Sequence, residues 1–356
     1  MKRTTLIALC AWLSAMALQA QSDASSHNEE SDDEGLQLTI IPRVDINPSI
    51  STGNGESADN NWFTPTLYTV FEGNIGQHVS FYLSNHWLTY HPEDLYHNTF
   101  HSDLSSWVDQ ANVNYNFDNG LSVGLGKFAT AYGIFEEDED DWNAHSVVGA
   151  GGSILASSFW NNMMVYEWGL NVSYESEGLG SITAQVLSSP YGEKPFKSKL
   201  YSYNLQLSGG NDVTSAMIAG TLHEVESGKF ATVLSLGVQH AFNDLWTGTL
   251  DGLYYWDYNE DLGASKSTEK FYQAQASLKY APSEKFDIMG RVGYEHGYSP
   301  LYGIGFDEDV LYGGVSANYY PLNNQDLRIH GTAALHNQFD EAWLSFGATY
   351  FFNLFK

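Results

Sequence analysis

The C-terminal stretch 341–355 reads EAWLSFGATYFFNLF, and from Leu344 its residues alternate between apolar and small neutral side chains. Successive side chains of an extended chain point to opposite faces, so a period of two predicts a β-strand with one apolar and one polar face. Small neutral residues on the polar face suit a water-filled interior. The two sets are Leu344, Phe346, Ala348, Tyr350, Phe352 and Leu354 against Ser345, Gly347, Thr349 and Asn353.

The same alternation recurs along the chain from residue 36. We identify sixteen runs, near 36–46, 62–72, 77–89, 107–117, 120–129, 163–175, 180–188, 199–208, 212–222, 231–242, 244–256, 270–280, 285–296, 308–320, 326–336 and 341–355. Single-chain bacterial barrels have an even number of strands. The predicted fold class is therefore all-β, a transmembrane antiparallel β-barrel of about 16 strands. The second and ninth runs are the least regular, which leaves fourteen strands as the alternative.

The connections between these runs alternate in length. Short ones such as 73–76, 118–119 and 281–284 are rich in the turn formers Gly, Asn, Asp and Pro. The intervening connections are mostly longer, up to 130–162, while 337–340 is the short exception. Outer-membrane barrels have short periplasmic turns and long outer loops, and a soluble sandwich has no reason to keep this alternation. The pattern places both termini on the periplasmic side.

The N-terminus has the pattern of an export signal. Residues 1–20 combine Lys2 and Arg3 with an apolar run and a small-residue end, which predicts a cleaved signal peptide. Residues 21–35 are acidic and lack large apolar side chains, so we predict a disordered lead-in. The barrel is expected over residues 36–356. Removal of the signal peptide also removes Cys10, the one cysteine of the chain, so no disulfide is expected.

Composition narrows the class of protein. The chain is 15% aromatic, contains 33 Gly, and has no later run of the 18 or more apolar residues that a membrane helix needs. These features favour a β-barrel with aromatic girdles, with a soluble secreted β-protein as the alternative. Without Lys2 and Arg3, 13 basic residues face 43 acidic ones, a formal net charge of −30. That acidity argues against a nucleic-acid partner, because phosphate binding needs Lys and Arg.

The longest connection, 130–162, is the third on the outer side and carries six consecutive acids. A long insert in a regular β pattern is typically a functional or a disordered loop. In a closed barrel it can instead fold into the lumen, and we predict that it forms the constriction of a cation-preferring pore. A solvated outer loop is the alternative. The predicted constriction residues are Glu136, Glu137, Asp138, Glu139, Asp140 and Asp141.

Four basic residues fall on the polar parity of their strands and are predicted to face the lumen. A basic wall opposite an acidic loop would set a transverse field across the aperture, which admits hydrated polar solutes and rejects apolar ones. The alternative is that each arginine pairs with a nearby carboxylate such as Asp45 or Glu295. The four predicted wall residues are Arg43, Lys279, Arg291 and Arg328.

Two groups of residues invite a metal-binding interpretation. His86, His91, His97 and His101 lie near one another with Glu93, Asp94 and Asp103 between them, and imidazole with carboxylate is competent for a transition metal. Their spacing is not diagnostic, so a polar surface loop is preferred. The run 136–141 lacks the alternating ligands and central Gly of a calcium loop. We therefore predict no metal site and no cofactor.

Motifs on either side of the acidic run resemble those of the phosphate-selective porin O/P family. They are Gly126-Lys127, Gly133-Ile134-Phe135-Glu136 and Phe159-Trp160-Asn161, within about fifty residues. The resemblance implies a sixteen-stranded, trimeric channel whose third outer loop folds inward. Phosphate selectivity needs a ladder of Lys and Arg, and the shortage of basic residues departs from it. The aromatic C-terminal strand also resembles that of bacterial outer-membrane barrels, which usually end in Phe, whereas this chain ends in Lys356.

The predicted function is an outer-membrane porin, a passive channel for small hydrophilic solutes or ions. Its expected surroundings are outer-membrane lipid and lipopolysaccharide, and its expected assembly is a homotrimer. An enzyme on a barrel, of phospholipase or protease type, is one alternative. It would need a nucleophile and a base within hydrogen-bond distance, and no catalytic residues are predicted. A structural or adhesive barrel is the other alternative.

Overall fold

The computed structural model describes residues 36–51, 64–88, 108–136, 148–149, 152–153, 155–159, 166–176, 178, 180–192, 197–256, 270–299, 304–337 and 341–354. The predicted signal peptide and lead-in lie outside these residues. No helix among the described residues is long and apolar enough to cross a membrane.

Sixteen long strands, numbered here in chain order, form one antiparallel sheet within the described residues. They are β1 Gln37–Ile46, β2 Thr64–Ile75, β3 Val79–Leu88, β4 Val108–Asn116, β5 Leu121–Ala129, β6 Tyr166–Ser176, β7 Gly180–Ser188, β8 Tyr201–Gly210, β9 Thr214–Glu226, β10 Lys229–Asn243, β11 Trp246–Trp256, β12 Lys270–Ser283, β13 Phe286–Ser299, β14 Ile304–Tyr319, β15 Leu327–His336 and β16 Glu341–Tyr350.

The sheet closes on itself through β1. Arg43 is in register with Thr66 of β2 on one side and with Thr349 of β16 on the other. Two short segments extend this seam, since Ser49–Ser51 pairs with β16 and Phe352–Asn353 pairs with β1. A separate short hairpin joins Val148–Gly149 to Gly152–Ser153. Closure leaves no free sheet edge, as a strand structure in lipid requires.

The predicted sixteen-stranded barrel is confirmed, and the fourteen-strand alternative is excluded. The two least regular runs are complete strands, β2 and β9. Two predicted outer loops, 223–230 and 297–307, are shorter than expected because their flanking strands continue pairing. β9 and β10 remain in register to Glu226 and Lys229, and Gly228 takes a φ of 78° in the tight turn between them. A two-residue hairpin favours such a left-handed residue.

The two faces of the barrel differ in polarity. Large apolar side chains on the outer face are exposed, for example Leu125 at 65% and Leu250 at 58%. The inner face is mostly polar and buried, as Thr66, Gln273 and Thr349 show. An apolar outer surface over a polar interior is the arrangement of a barrel in the bacterial outer membrane. We call the end with the turns 76–78 and 320–326 the turn end, and the opposite end the loop end.

Candidate functional site

Residues 130–136, which we call the inward segment, leave β5 at the loop end and run along the inner wall. The amide of Ala131 donates to Gln185 Oε1 of β7 at 2.9 Å, and Asn204 of β8 donates to the Ala131 carbonyl at 2.6 Å. Further along, the amides of Phe135 and Glu136 donate to the two carboxylate oxygens of Asp251 of β11, at 2.9 and 3.1 Å. The segment therefore crosses several strands while their inward side chains satisfy its backbone.

Two glycines permit this close approach. Gly133 has a φ of 76°, and a Cβ built there would lie 2.9 Å from the Ala219 Cβ of β9. Gly237 of β10 lies directly beneath the segment, where an added Cβ would come within 3.2 Å of the Ile134 Cα. The inward segment thus lies in van der Waals contact with the backbone of the barrel wall, and a side chain added at either position would require a small local shift.

Glu136 ends the inward segment and is 0% exposed. Its Oε1 accepts from the Ser157 amide at 2.8 Å, and its Oε2 accepts from the Ser157 hydroxyl at 2.7 Å and from Gln273 at 3.2 Å. Arg291 Nη1 lies 3.8 Å from Oε1, in a pair of which neither side chain is more than 1% exposed. A buried carboxylate requires such hydrogen bonds and an opposite charge.

Residues 155–159, the return segment, are held against the wall by the same chemistry. Glu295 of β13 accepts the Ser158 amide at 2.7 Å and also the Ser158 hydroxyl. Arg291 Nη1 donates to the Leu155 carbonyl at 3.0 Å. Arg291 thus binds both described segments of the long connection, through Glu136 and through Leu155. The charges of β13 fasten the connection to the wall.

An apolar cluster inside the barrel completes this attachment. Tyr132 and Phe159, one from each segment, meet edge to face with ring centroids 4.8 Å apart. They pack on inward apolar residues of β10, β11 and β12, which form a buried cluster with them. Burial of this area stabilises the folded connection, by about 25 cal/mol per Å² of apolar surface. The wall residues of the cluster are Ala231, Val233, Leu253, Tyr255 and Phe271.

A buried histidine supports the inward segment from the other side. Both ring nitrogens of His223 are hydrogen-bonded. Nδ1 lies 2.7 Å from Ser202 Oγ, and Nε2 lies 3.2 Å from the Tyr132 hydroxyl oxygen. A Ser–His contact is also the pattern of a hydrolase, which the sequence did not reveal. His223 is 0% exposed, and its second nitrogen is engaged by Tyr132. This geometry suits a packing role better than catalysis.

The four basic residues predicted to form one wall occupy three separate places. Arg43 donates to Asp45 at 2.6 Å, and His330 lies 2.7 Å from the same carboxylate. Arg328 lies on β15 and donates to Thr349 of the neighbouring strand β16 at 3.1 Å. The alternative prediction, pairing with a neighbouring carboxylate, describes Arg43 and Asp45 correctly.

Lys279 and Arg291 also depart from a continuous wall. Lys279 has a half-exposed side chain, and its Nζ is 3.9 Å from Asp287. Arg291 is 2% exposed and lies between the wall and the long connection, with its Nη1 3.8 Å from Glu136 Oε1. Arg291 therefore lies on the inner wall and meets an acid of the long connection, and a basic wall that sets a field across an aperture stays a prediction. Glu136 does not line an open aperture either, because it is buried in the same contact.

Several of the predicted residues belong to parts of the chain that the structure does not describe. Glu137 to Asp141 lie outside the described residues, as do His91, His97 and His101 with the acids near them. His86 is described only as part of β3. In the portion of the chain that the structure describes, no group of three or more His, Cys, Asp or Glu side chains is arranged to hold a metal ion.

A family model matches most of the barrel. Residues 73–329 fit the family described as "Putative beta-barrel porin-2, OmpL-like". The chain belongs to this OmpL-like porin family. The matched family is a porin family, as predicted, but membership of the phosphate-selective porin O/P family is not confirmed. Nothing among the curated proteins is similar enough in sequence to match the chain.

Solved structures of porins share the fold of this OmpL-like porin. An anion-selective porin from Comamonas acidovorans superposes with a TM-score of 0.60 at 10% identity, covering 89% of this chain and 99% of that one. A porin structure refined at 1.8 Å has a TM-score of 0.56 at 13% identity, covering 89% and 100%. A porin mutant from Rh. blastica has a TM-score of 0.52 at 15% identity, covering 89% and 99%. At these identities the likeness shows the fold alone.

Proposed function

We propose that this outer-membrane porin is a passive diffusion channel for small hydrophilic solutes or ions, with a preference for cations. Residues 130–162 would form its constriction. The observation that carries the proposal is the inward segment, whose backbone amides bind Asp251 of the inner wall. A chain held there occupies part of the lumen cross-section, which narrows the path for solutes. The turn end would face the periplasm, as short turns do in such barrels.

Charge supports the cation preference. Glu136 is matched by Arg291, which leaves Glu137, Asp138, Glu139, Asp140 and Asp141 as the acids available to line the aperture. The whole chain has a formal net charge of −28, so few basic residues remain to oppose them. Carboxylates in a confined channel raise the local cation concentration and lower that of anions.

Planar-bilayer recording of the purified porin tests this function. In a KCl gradient we expect discrete conductance steps and a reversal potential of the sign that K⁺ selectivity produces. The preference should weaken with salt, because the Debye length falls from about 10 Å at 0.1 M to about 3 Å at 1 M. A reversal potential of anion sign, or one that salt leaves unchanged, would contradict the cation preference. A folded barrel without conductance would contradict the channel and leave the adhesive or structural alternative.

We also propose that the porin is not an enzyme. The Ser202–His223 contact has the hydroxyl–imidazole pattern of a hydrolase, and it is buried beneath Tyr132. A nucleophile must reach its substrate, which this position prevents. We expect no phospholipase or protease activity, and hydrolysis by the wild type that a Ser202→Ala variant loses would contradict this.

We also infer that the porin functions as a homotrimer in contact with outer-membrane lipid and lipopolysaccharide, without nucleic acid or a cofactor. The wall is uneven in height, with strands of 9 residues at β4, β5 and β7 but 14 to 16 at β12, β13 and β14. Shorter strands on one side suit a surface covered by neighbouring subunits. Light scattering in detergent that gave a one-subunit mass would contradict the trimer.

A further inference from the structure

A cavity of about 400 Å³ opens inside the barrel at the turn end, far along the strands from the long connection. It lies between the first residues of β1, the last residues of β2, the start of β3, the 320–326 turn and the chain after β16. Cavities of this size, roughly 300 Å³ or more, hold small organic molecules. None of the described residues of the long connection lines it.

The floor of the cavity is apolar and aromatic. Ile41 and Val70 are buried and pack together in a small cluster inside the barrel, with Tyr82 and Phe351 against them. Tyr82 and Phe351 also line the cavity. Arg328 stacks near the Phe351 ring, with its guanidinium carbon 5.7 Å from the ring centroid. A planar apolar surface beside polar side chains would attract the C–H face of a ligand.

The rim of the cavity is a chain of hydrogen-bonded polar side chains. Thr39 Oγ1 donates to Asn353 Oδ1 at 2.8 Å, and Asn353 Nδ2 reaches Asp326 Oδ1 at 3.5 Å. Asn324 donates to the other oxygen of Asp326. Gln37, which donates to Thr39 at 3.5 Å, and Glu72, in register with Gln37 on β2, continue the polar lining. Amides supply donors and acceptors at adjacent positions, and carboxylates supply acceptors.

We propose that this cavity, aromatic on its floor and lined at its rim by amides and carboxylates, is a binding site for a small saccharide. Each sugar hydroxyl both donates and accepts, so it matches a rim of alternating amide and carboxylate groups. The apolar face of a pyranose ring matches Tyr82 and Phe351. The proposal gives the class of solute that the channel would carry, and in this it rests on the proposed function.

A cationic ligand is the competing occupant. Two carboxylates, Glu72 and Asp326, line the cavity, and none of its described lining residues is basic. However, Asp326 already accepts from Asn324 and Asn353, and Arg328 lies behind the Phe351 ring, so part of the negative charge is compensated. The number of amide groups favours a neutral, hydroxyl-rich ligand.

Direct binding to the purified full chain tests the assignment. The porin would be held in an amine-oxide detergent, which has no sugar head group, and titrated with maltose by calorimetry and by saturation-transfer NMR. We expect saturable binding with transfer to the ring protons of the sugar. Tyr82→Ala should weaken the affinity by about 3- to 10-fold, the amount that one aromatic contact supplies.

Two further variants keep the test decisive. Asn324→Ala changes an exposed turn residue of the rim and should weaken binding even if Tyr82→Ala fails to fold. Tyr319→Ala shortens an exposed side chain on the outer face near the same end of the barrel, and this variant should bind maltose as the wild type does. Absence of maltose binding, binding of choline instead of maltose, or equal affinity in wild type and Asn324→Ala would each overturn the saccharide site. Because binding is read without current, this failure is separable from a failure of the channel to conduct.

Discussion

Replacing Arg291 with methionine should lower the free energy of unfolding of the barrel by about 3–5 kcal/mol, the cost of leaving one partner of a buried ion pair alone. The reason is local, since Glu136 is fully buried and Arg291 is its described basic partner, at 3.8 Å. The same substitution removes the hydrogen bond from Arg291 to the Leu155 carbonyl. We therefore also expect the long connection to leave the wall and the single-channel current to become noisier. Urea unfolding followed by tryptophan fluorescence measures the first effect.

Two controls separate this contact from general damage to the wall. The double variant Glu136→Gln/Arg291→Met removes both charges, so it should recover a large part of the loss, as a double-mutant cycle would show. Lys279→Met breaks the ion pair between the half-exposed Lys279 and Asp287, whose charged atoms are 3.9 Å apart. This substitution should change the free energy of unfolding by only about 0–1 kcal/mol. An Arg291→Met variant as stable as Lys279→Met would show that the Glu136 contact does not hold the connection.

Deleting residues 137–141 while keeping Glu136 should enlarge the single-channel conductance and shift the reversal potential toward anions. Glu136 must stay, because it fastens the connection to Ser157, Gln273 and Arg291. The five deleted residues carry five carboxylates, and if they line the proposed constriction their removal lowers the local cation concentration. The measurement is the current in a planar bilayer with a KCl gradient across it.

The matched control keeps the length of the connection and removes its charge. A variant with Glu137→Gln, Asp138→Asn, Glu139→Gln, Asp140→Asn and Asp141→Asn should shift the reversal potential like the deletion but leave conductance nearer that of wild type. If both variants insert and conduct as wild type does, the acidic run lies outside the pore and the cation preference has another source.

Period-two alternation predicted the strands closely because facing is a local property of an extended chain. β7 has the predicted bounds, and β11 ends at the predicted residue. The positions of Arg43, Arg291 and Arg328 in the alternation predicted side chains on the inner face of the barrel, and all three are buried there. The loop lengths at 227–228 and 300–303 were overestimated, since pairing can continue through polar residues once the neighbouring strand is in place.

The site was less predictable because its partners are distant in sequence. In the sequence Glu136 looks like the five acids that follow it, and its partner Arg291 lies on a strand more than 150 residues later. Asp251 and Glu295 are the wall carboxylates that bind the connection. In the sequence they can be recognised only as acids at the polar positions of the period-two alternation. An acid on an inward position that faces a long loop is a usable signal for such anchors.

Disulfide trapping tests the central claim, that the long connection lies inside the barrel. With Cys10 replaced by serine the chain has no other cysteine, so a Gly133→Cys/Ala219→Cys pair is the sole thiol pair. A Cβ at residue 133 lies 2.9 Å from the Ala219 Cβ, and a disulfide needs about 3.5–4.5 Å, so a small shift suffices.

The control pair is Gly133→Cys/Ile218→Cys, since residue 218 of β9 points to the opposite, outer face. After oxidation of the folded protein and digestion, we expect linked peptides from the 133/219 pair and none from the 133/218 pair. A folded barrel that gives no 133/219 bridge, or equal bridging in both pairs, would contradict an inward connection.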